Sequence, residues 1–358
     1  MQASRPLELD QLEATKTLLE RIKTCKTLPV LSPLASKILK MCQYEEAETS
    51  KLAELISQDP GMAIKILVMA NSGYYGGGPH KVTSVVQAVK LLGFATIANL
   101  ALSFCFYHLI KGMNSSHMPA INHLQFWRRS IFSSIAGRAI GKHFASSDTE
   151  LMFLAALLQD IGILALNEVA ADEIKAIQAQ SPKDHADLIR LELEYLGVDH
   201  SQVGTWLAQQ WELPEEFQIA ILYSHTPELL ETPSDFEALV DVVSLAGLIA
   251  DIWMVPNTEA AIATAQERSQ GRLPIQPEDW GPILDNFMTG IPQIATFFQT
   301  KLGSVDEIEH IHHLALNQLA PSYMDFLTQK NKVHAIAETG TAAKHSNSWW
   351  NIHSRLRT

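Results

Sequence analysis

The chain has 358 residues, 47% hydrophobic and 18% charged, with 27 lysines and arginines against 39 aspartates and glutamates and a formal net charge of −12. That is enough apolar material for one large core or two ordinary ones. The acidic balance argues against broad nucleic-acid binding, which needs a basic face. The three cysteines, Cys25, Cys42 and Cys105, are widely spaced and odd in number, so neither a disulfide framework nor a zinc knuckle is indicated. The opening MQASRPLELDQLEATK has no apolar run of the kind a secretory leader carries, so a cytoplasmic protein with reduced thiols is expected.

Alternating strand patterns are nearly absent, while helical periodicity with end signals recurs, which predicts an all-α fold. A first helix over 7–24 places Leu12, Leu18, Leu19 and Ile22 on its apolar side and breaks at Leu28-Pro29. A second, over 33–43, is entered at Pro33, and a third, over 49–58, starts at Thr49 or Ser50. Asp59-Pro60 stops one helix and starts the next, since proline is tolerated in a first helical turn. Residues 61–71 are apolar on most faces and end at Asn71-Ser72, with Asn71 as the C-cap. The loop GYYGGGP follows. It lacks a lysine-serine/threonine ending and a preceding strand, so it reads as a flexible turn and not a phosphate cradle. A helix over 83–92 ends at Gly93. Phe94 to Ile110 is near the minimum membrane-spanning length, but Thr96, Asn99, Ser103 and His108 interrupt it, so a buried core helix is expected. A helix over 121–144 carries Trp127, Ile131, Ile135 and Ile140 near helical spacing.

The stretch from Ser147 to Asn167, SDTELMFLAALLQDIGILALN, is the one around which the chain is organised. Ser147 and Glu150 form a capping-box pattern, and Leu151 to Leu166 is apolar on all faces, so protein must surround it. Gln159 and Asp160 sit in its middle. A buried carboxylate is costly unless it is paired, protonated or holding a metal. Further helices are predicted over 184–196, ended by Gly197, over 200–211, from Leu213-Pro214 to His225, and over 234–253. Residues 257–275 are polar with a loop at Gly271 to Pro274, and 277–327 give two or three amphipathic helices. In EIEHIHH, Glu309 and His313 stand at i,i+4, but no third ligand is in view and a solvated face is the simpler reading. Residues 328–358 read as a polar tail in which Trp349-Trp350 is more apolar surface than a solvated tail needs.

LLQDIG differs by one residue from LLHDIG, the signature of the HD superfamily of metal-dependent phosphohydrolases. Other motifs agree with one branch: Leu28-Pro29, Ser57-Gln58-Asp59-Pro60, Ala70-Asn71-Ser72, Leu92-Gly93, Trp127-Arg128-Arg129-Ser130, Gly162, His200 with Val203-Gly204, Trp211-Glu212-Leu213-Pro214 and Ser224-His225. In this order the chain resembles an HDOD domain, the HD-related output domain of bacterial signalling proteins, over roughly residues 23–250. The implied division is an N-terminal helix over 1–24, the HDOD domain over 25–256, a helical extension over 257–327 and a tail over 328–358.

Carried over onto this sequence, the HD ligand positions give a poor metal site. The upstream histidine position is Arg129, the histidine of the pair is Gln159, only Asp160 survives, and the late aspartate position falls at Gly247. His200 and His225 match extra histidines that some two-metal HD enzymes use, and are read here as satisfying buried hydrogen bonds. A guanidinium at Arg129 is expected to take the place of a metal cation and pair with Asp160, with Arg128 facing solvent. The alternative is that Arg129 points to solvent and Asp160 caps a backbone amide. The resemblance therefore implies a non-catalytic regulatory module with no metal or cofactor, no nucleic acid and no membrane span, acting on protein partners in a bacterial signalling pathway. The rivals are a divergent phosphohydrolase working through Asp160, His200 and His225, and a pocket that senses a small molecule such as a nucleotide, with Arg129 on a phosphate.

Overall fold

The computed structural model describes residues 18, 20–28, 30–42, 49–77, 81–112, 121–144, 146, 148–182, 184–273, 275–325 and 327–328. Helix follows helix, and no strand appears among these residues. The expected first helix falls mostly outside them, with 20–24 helical; Pro29, Ser147 and 329–358, with Trp349-Trp350, also lie outside.

The early helices end where local chemistry dictates. After α1 (Pro33–Cys42) and α2 (Thr49–Ser57), α3 (Pro60–Ala70) starts because Asp59 accepts the Met62 amide at 3.0 Å and Pro60 has no N–H to lose. It ends at Asn71, whose side chain donates to Leu67 and Val82 carbonyls at 2.7 and 2.8 Å and accepts the Val82 amide at 2.8 Å. That one amide both caps α3 and pins the segment leading to α4 (Val85–Leu92). The glycine-rich loop is described as far as Gly77. Gly73–Tyr75 is a 3-10 turn closed by Gly76 at φ 74°, and it carries Tyr74 inward. At Gly93 the chain bends by 120° into α5 (Phe94–Gly112), a core helix with Ile97, Leu100, Ala101 and Phe106 fully buried.

The axis of the fold is α6 (His123–His143), started by Asn122, which accepts the Leu124 and Gln125 amides. Nearly every residue from Phe126 to Gly141 is buried. Three helices pack on it: α7 (Thr149–Leu158), α13 (Glu237–Asp251) and α15 (Pro277–Phe298).

The expected single helix through Asp160 is in fact two, α7 and α8 (Ile161–Val169), with Gln159 and Asp160 as the turn between them. Asp160 takes the N-cap position of α8 without bonding a capping amide, which leaves its carboxylate directed at other elements. Glu150 accepts from Arg138 Nε at 2.6 Å and from the Tyr75 hydroxyl at 2.7 Å; the expected capping box rests on Ser147 and lies outside the described residues. The stretch Thr149–Val169 has the length and composition of a membrane span, but 83% of its central window is buried inside the protein.

Four helices follow: α9 (Ala171–Ala179), α10 (His185–Leu196), α11 (His200–Gln210) and α12 (Glu215–Leu222). A Cβ on Gly162 would stand 1.9 Å from the His200 carbonyl and 2.6 Å from the Gly204 nitrogen, so only glycine lets α8 and α11 meet backbone to backbone. The polar segment after Pro256 is helical as α14 (Thr258–Arg272), fastened by Arg272 on Asp241 and Arg268 on Glu228. Next, α15 runs 22 residues through Pro282 and Pro292 and sets Phe287 against Trp253 and Phe132. Trp253 donates to the Ile308 carbonyl of α16 (Val305–Leu319) at 3.2 Å. Residues 257–319 therefore share the core of the preceding body.

Candidate functional site

Three elements deliver one buried ion network. Arg129 comes from α6, Asp160 from the α7–α8 turn and Asp251 from the last residue of α13. The Arg129 Nη1 contacts Asp160 Oδ2, Nε donates to Asp251 Oδ1 at 2.8 Å, and Nη2 reaches Asp251 Oδ2 at 3.3 Å and the Gly247 carbonyl at 3.4 Å. Arg129, Asp160 and Asp251 are 8%, 1% and 6% exposed, so this is a core interaction. The expected pairing of Arg129 with Asp160 is present, and a second carboxylate that sequence reasoning missed shares the cation. Gly247 supplies a carbonyl and room: a Cβ there would approach Gln159 Oε1 to 2.7 Å and Arg129 Nη2 to 3.2 Å. Gln159 is fully buried, donates to the Ala156 carbonyl at 3.1 Å and leaves its Oε1 unpartnered. Arg128, expected in solvent, instead lies over the Phe132 ring and reaches Glu307 at 3.6 Å, because α16 covers that side of α6.

On the other side of Asp160 stand three imidazoles. His185 opens α10, His200 opens α11, and His225 follows α12. Their Nε2 atoms approach Asp160 Oδ1 to 3.3, 3.6 and 3.4 Å, and His200 Nε2 lies 3.0 Å from that of His185 and 2.9 Å from that of His225. Oδ1 is buried with no hydrogen-bond partner. Behind His200, Glu192 of α10 accepts from Nδ1 at 2.6 Å and from the His200 backbone amide at 2.9 Å, both through Oε2. His185 and Glu192 were absent from the sequence-derived set. Their signal was a seven-residue spacing that puts both on one face of α10.

The electrostatics follow the geometry. Burial resists ionisation of Asp160, but the Arg129 guanidinium, then His185, hold its carboxyl well below the usual range. Burial raises Asp251, with Arg129 acting against it. Burial depresses His185 strongly and takes His225 down to about 4. At His200 burial also opposes the charge, but Glu192 overcomes it and pushes the imidazole up to about 10.

The metal of an HD enzyme does not fit the positions carried over from that pattern. A guanidinium, an amide and a glycine stand at three of them, and only Asp160 offers a metal donor. The histidines form a separate donor set with Asp160, and among the described residues this is the group of three or more ligand side chains that converges. Glu309 and His313 are exposed on α16 and take no part in it. A cleft of about 370 Å³ opens onto Arg129, Asp160, His185 and Asp251, walled by Phe126 of α6 and Leu188 of α10. The remaining motif residues support the fold: Asp59-Pro60 and Asn71-Ser72 bound α3, Trp127 packs on Tyr107, Gly162 admits α11, Trp211 packs on Phe106, and Pro214 precedes α12.

A family model for the HDOD domain matches residues 28–227. Three solved structures share the fold. An HDOD domain protein of Geobacter sulfurreducens is 18% identical, with 86% of this chain and 98% of that one covered and a TM-score of 0.61. A protein of Shewanella amazonensis SB2B described as a phosphohydrolase is 21% identical, with 79% and 97% covered and a TM-score of 0.60. One of Marinobacter aquaeolei VT8 described as a signal transduction protein is 19% identical, with 83% and 68% covered and a TM-score of 0.54. An uncharacterized protein of Treponema pallidum (strain Nichols) is 23% identical over 249 residues, and the chain spans 47% of that protein's length.

Proposed function

Because the chain belongs to the HDOD family, we propose that it is a regulatory module of bacterial signal transduction that works through contacts with protein partners and not by turnover. The observation that carries this reading is the Arg129 guanidinium between Asp160 and Asp251. A permanent cation there pairs with Asp160 Oδ2 and with Asp251 and disfavours a divalent ion at the position it occupies. Gln159 and Gly247 offer no ligand in compensation. Arg129 is turned to Asp160, Asp251 and the Gly247 carbonyl, which favours this reading over the rival in which it binds a ligand phosphate at the cleft. Hydrolysis of a generic phosphodiester by protein supplied with manganese, iron or zinc tests the reading. No turnover is expected; turnover that Asp160→Ala abolishes would overturn it. Affinity capture with the full chain from a host lysate then identifies the partner.

A further inference from the structure

We infer that the groove between α1, α2, α3 and α5 binds a single-chain anionic amphiphile, a free long-chain carboxylate. The inference goes beyond the regulatory reading and does not depend on it. The groove holds about 620 Å³, against about 370 Å³ for the cleft at Arg129, and it lies on a different set of helices. Small-molecule sites have volumes of this order and are mostly apolar, with a few placed polar groups. The lining agrees. Met62 and Cys105 are buried, and Leu34, Leu55, Phe104 and Leu109 are half-buried around them. Val30, 78% exposed, stands at the edge.

Charge decides the class of ligand. The chain carries a net charge of −12, yet the edge of this groove is basic. Lys37 of α1 and His108 of α5 line it and are exposed. Partial desolvation, then Lys111, lowers the His108 imidazole; Asp59 opposes this and Lys65 adds to it, so both lysines stand within electrostatic reach. Each is held nearby, Lys65 by the Thr296 carbonyl at 3.1 Å and Lys111 over the Tyr107 ring. Asp59 is the carboxylate in the lining, and it is already matched, since its Oδ1 accepts the Met62 amide as N-cap of α3. Ser32 and Pro33, at the start of α1, line the groove too, which places the positive end of that helix there. Three lysines against one capped carboxylate favour an anion. An apolar trough with a cationic edge is matched by an acyl chain over Leu55, Met62 and Phe104 with its carboxylate at Lys37 and His108.

Two other occupants fit less well. Residues 329–358 of the chain itself carry five lysines and arginines against one glutamate, the wrong sign for this edge. A second copy meeting the same face across a two-fold axis would set Lys37 and its neighbours against their own equivalents.

The test uses the full chain, stripped of bound lipid and titrated calorimetrically with sodium dodecanoate below its micelle-forming concentration. One equivalent is expected, with a Kd on the order of 10 µM. Dodecyltrimethylammonium, with the same chain and the opposite charge, is expected to bind about tenfold more weakly or worse. Amide exchange should slow over residues 104–109 on binding and stay as it was over 185–196. Lys37→Glu combined with His108→Glu, both at exposed positions, should weaken dodecanoate about tenfold or more and leave the melting temperature unchanged. Phe104→Ala should weaken it about tenfold; if that chain does not fold, Val30→Glu reads the loss of the apolar edge. Several weak equivalents, the mark of adventitious surfactant, would overturn the inference. So would equal affinity for the cationic amphiphile, indifference to the charge variants, or binding to anionic phospholipid vesicles without binding of monomeric dodecanoate. None of these results bears on turnover, so the regulatory reading stands or falls on its own assay.

Discussion

Helix α6 carries two buried arginines, nine residues apart, and they are built differently. Arg138 lies between the rings of Tyr74 and Tyr75, at 4.1 and 4.3 Å, and donates to Glu150. Both oxygens of that carboxylate are used, one by Arg138 and one by the Tyr75 hydroxyl. Arg129 is equally buried but shares itself between two carboxylates from two helices, and one oxygen of Asp160 is left facing three imidazoles. A buried ion pair alone is therefore no sign of a site. What marks one is a donor set left incomplete, with a cleft opening beside it.

Several changes would break or sharpen that contrast. The largest effect is expected at Gly162→Ala, where the new methyl strikes the His200 carbonyl and separates Asp160 from His200. A loss on the order of 5 kcal/mol, or failure to fold, should show in urea denaturation. Arg129→Ala and Arg138→Ala should each cost about 3–5 kcal/mol, since each strands a buried carboxylate. A near-neutral result at either would mean that its arginine is not the counter-charge described. Asp251→Asn should cost about 1–3 kcal/mol, because Asp160 still balances the guanidinium. A loss as large as that of Arg129→Ala would show Asp251 to be the dominant partner. The smallest effect is expected at Tyr75→Phe, about 1 kcal/mol for one hydrogen bond to Glu150. Combined with Arg129→Ala its cost should add; a non-additive result would mean the two arginine clusters are coupled along α6.

Much of the fold was legible from local signals. Asp59-Pro60, Asn71, Gly93 and Gly197 bound helices where their own chemistry requires a cap or a turn. Glu150 shows what such signals leave out: nothing local foretold that it would hold Arg138 and Tyr75. The pairing of Arg129 with Asp160 was also legible, because a lone carboxylate in an apolar run demands a cation and an arginine stood at the matching position. Asp251 was not, since alignment pointed one turn earlier to Gly247, whose part is to leave space.

By itself the sequence determined that the chain is helical, where most helices begin and end, and that Asp160 would be buried and in need of a partner. Only the tertiary structure decided that the apolar run breaks at Gln159-Asp160, that Asp251 shares Arg129, and that His185 joins His200 and His225 around Asp160 Oδ1. Helix ends are set by interactions a few residues long. The meeting of four side chains depends on the packing of α8, α10, α11 and α12, and on a glycine small enough to let two backbones touch.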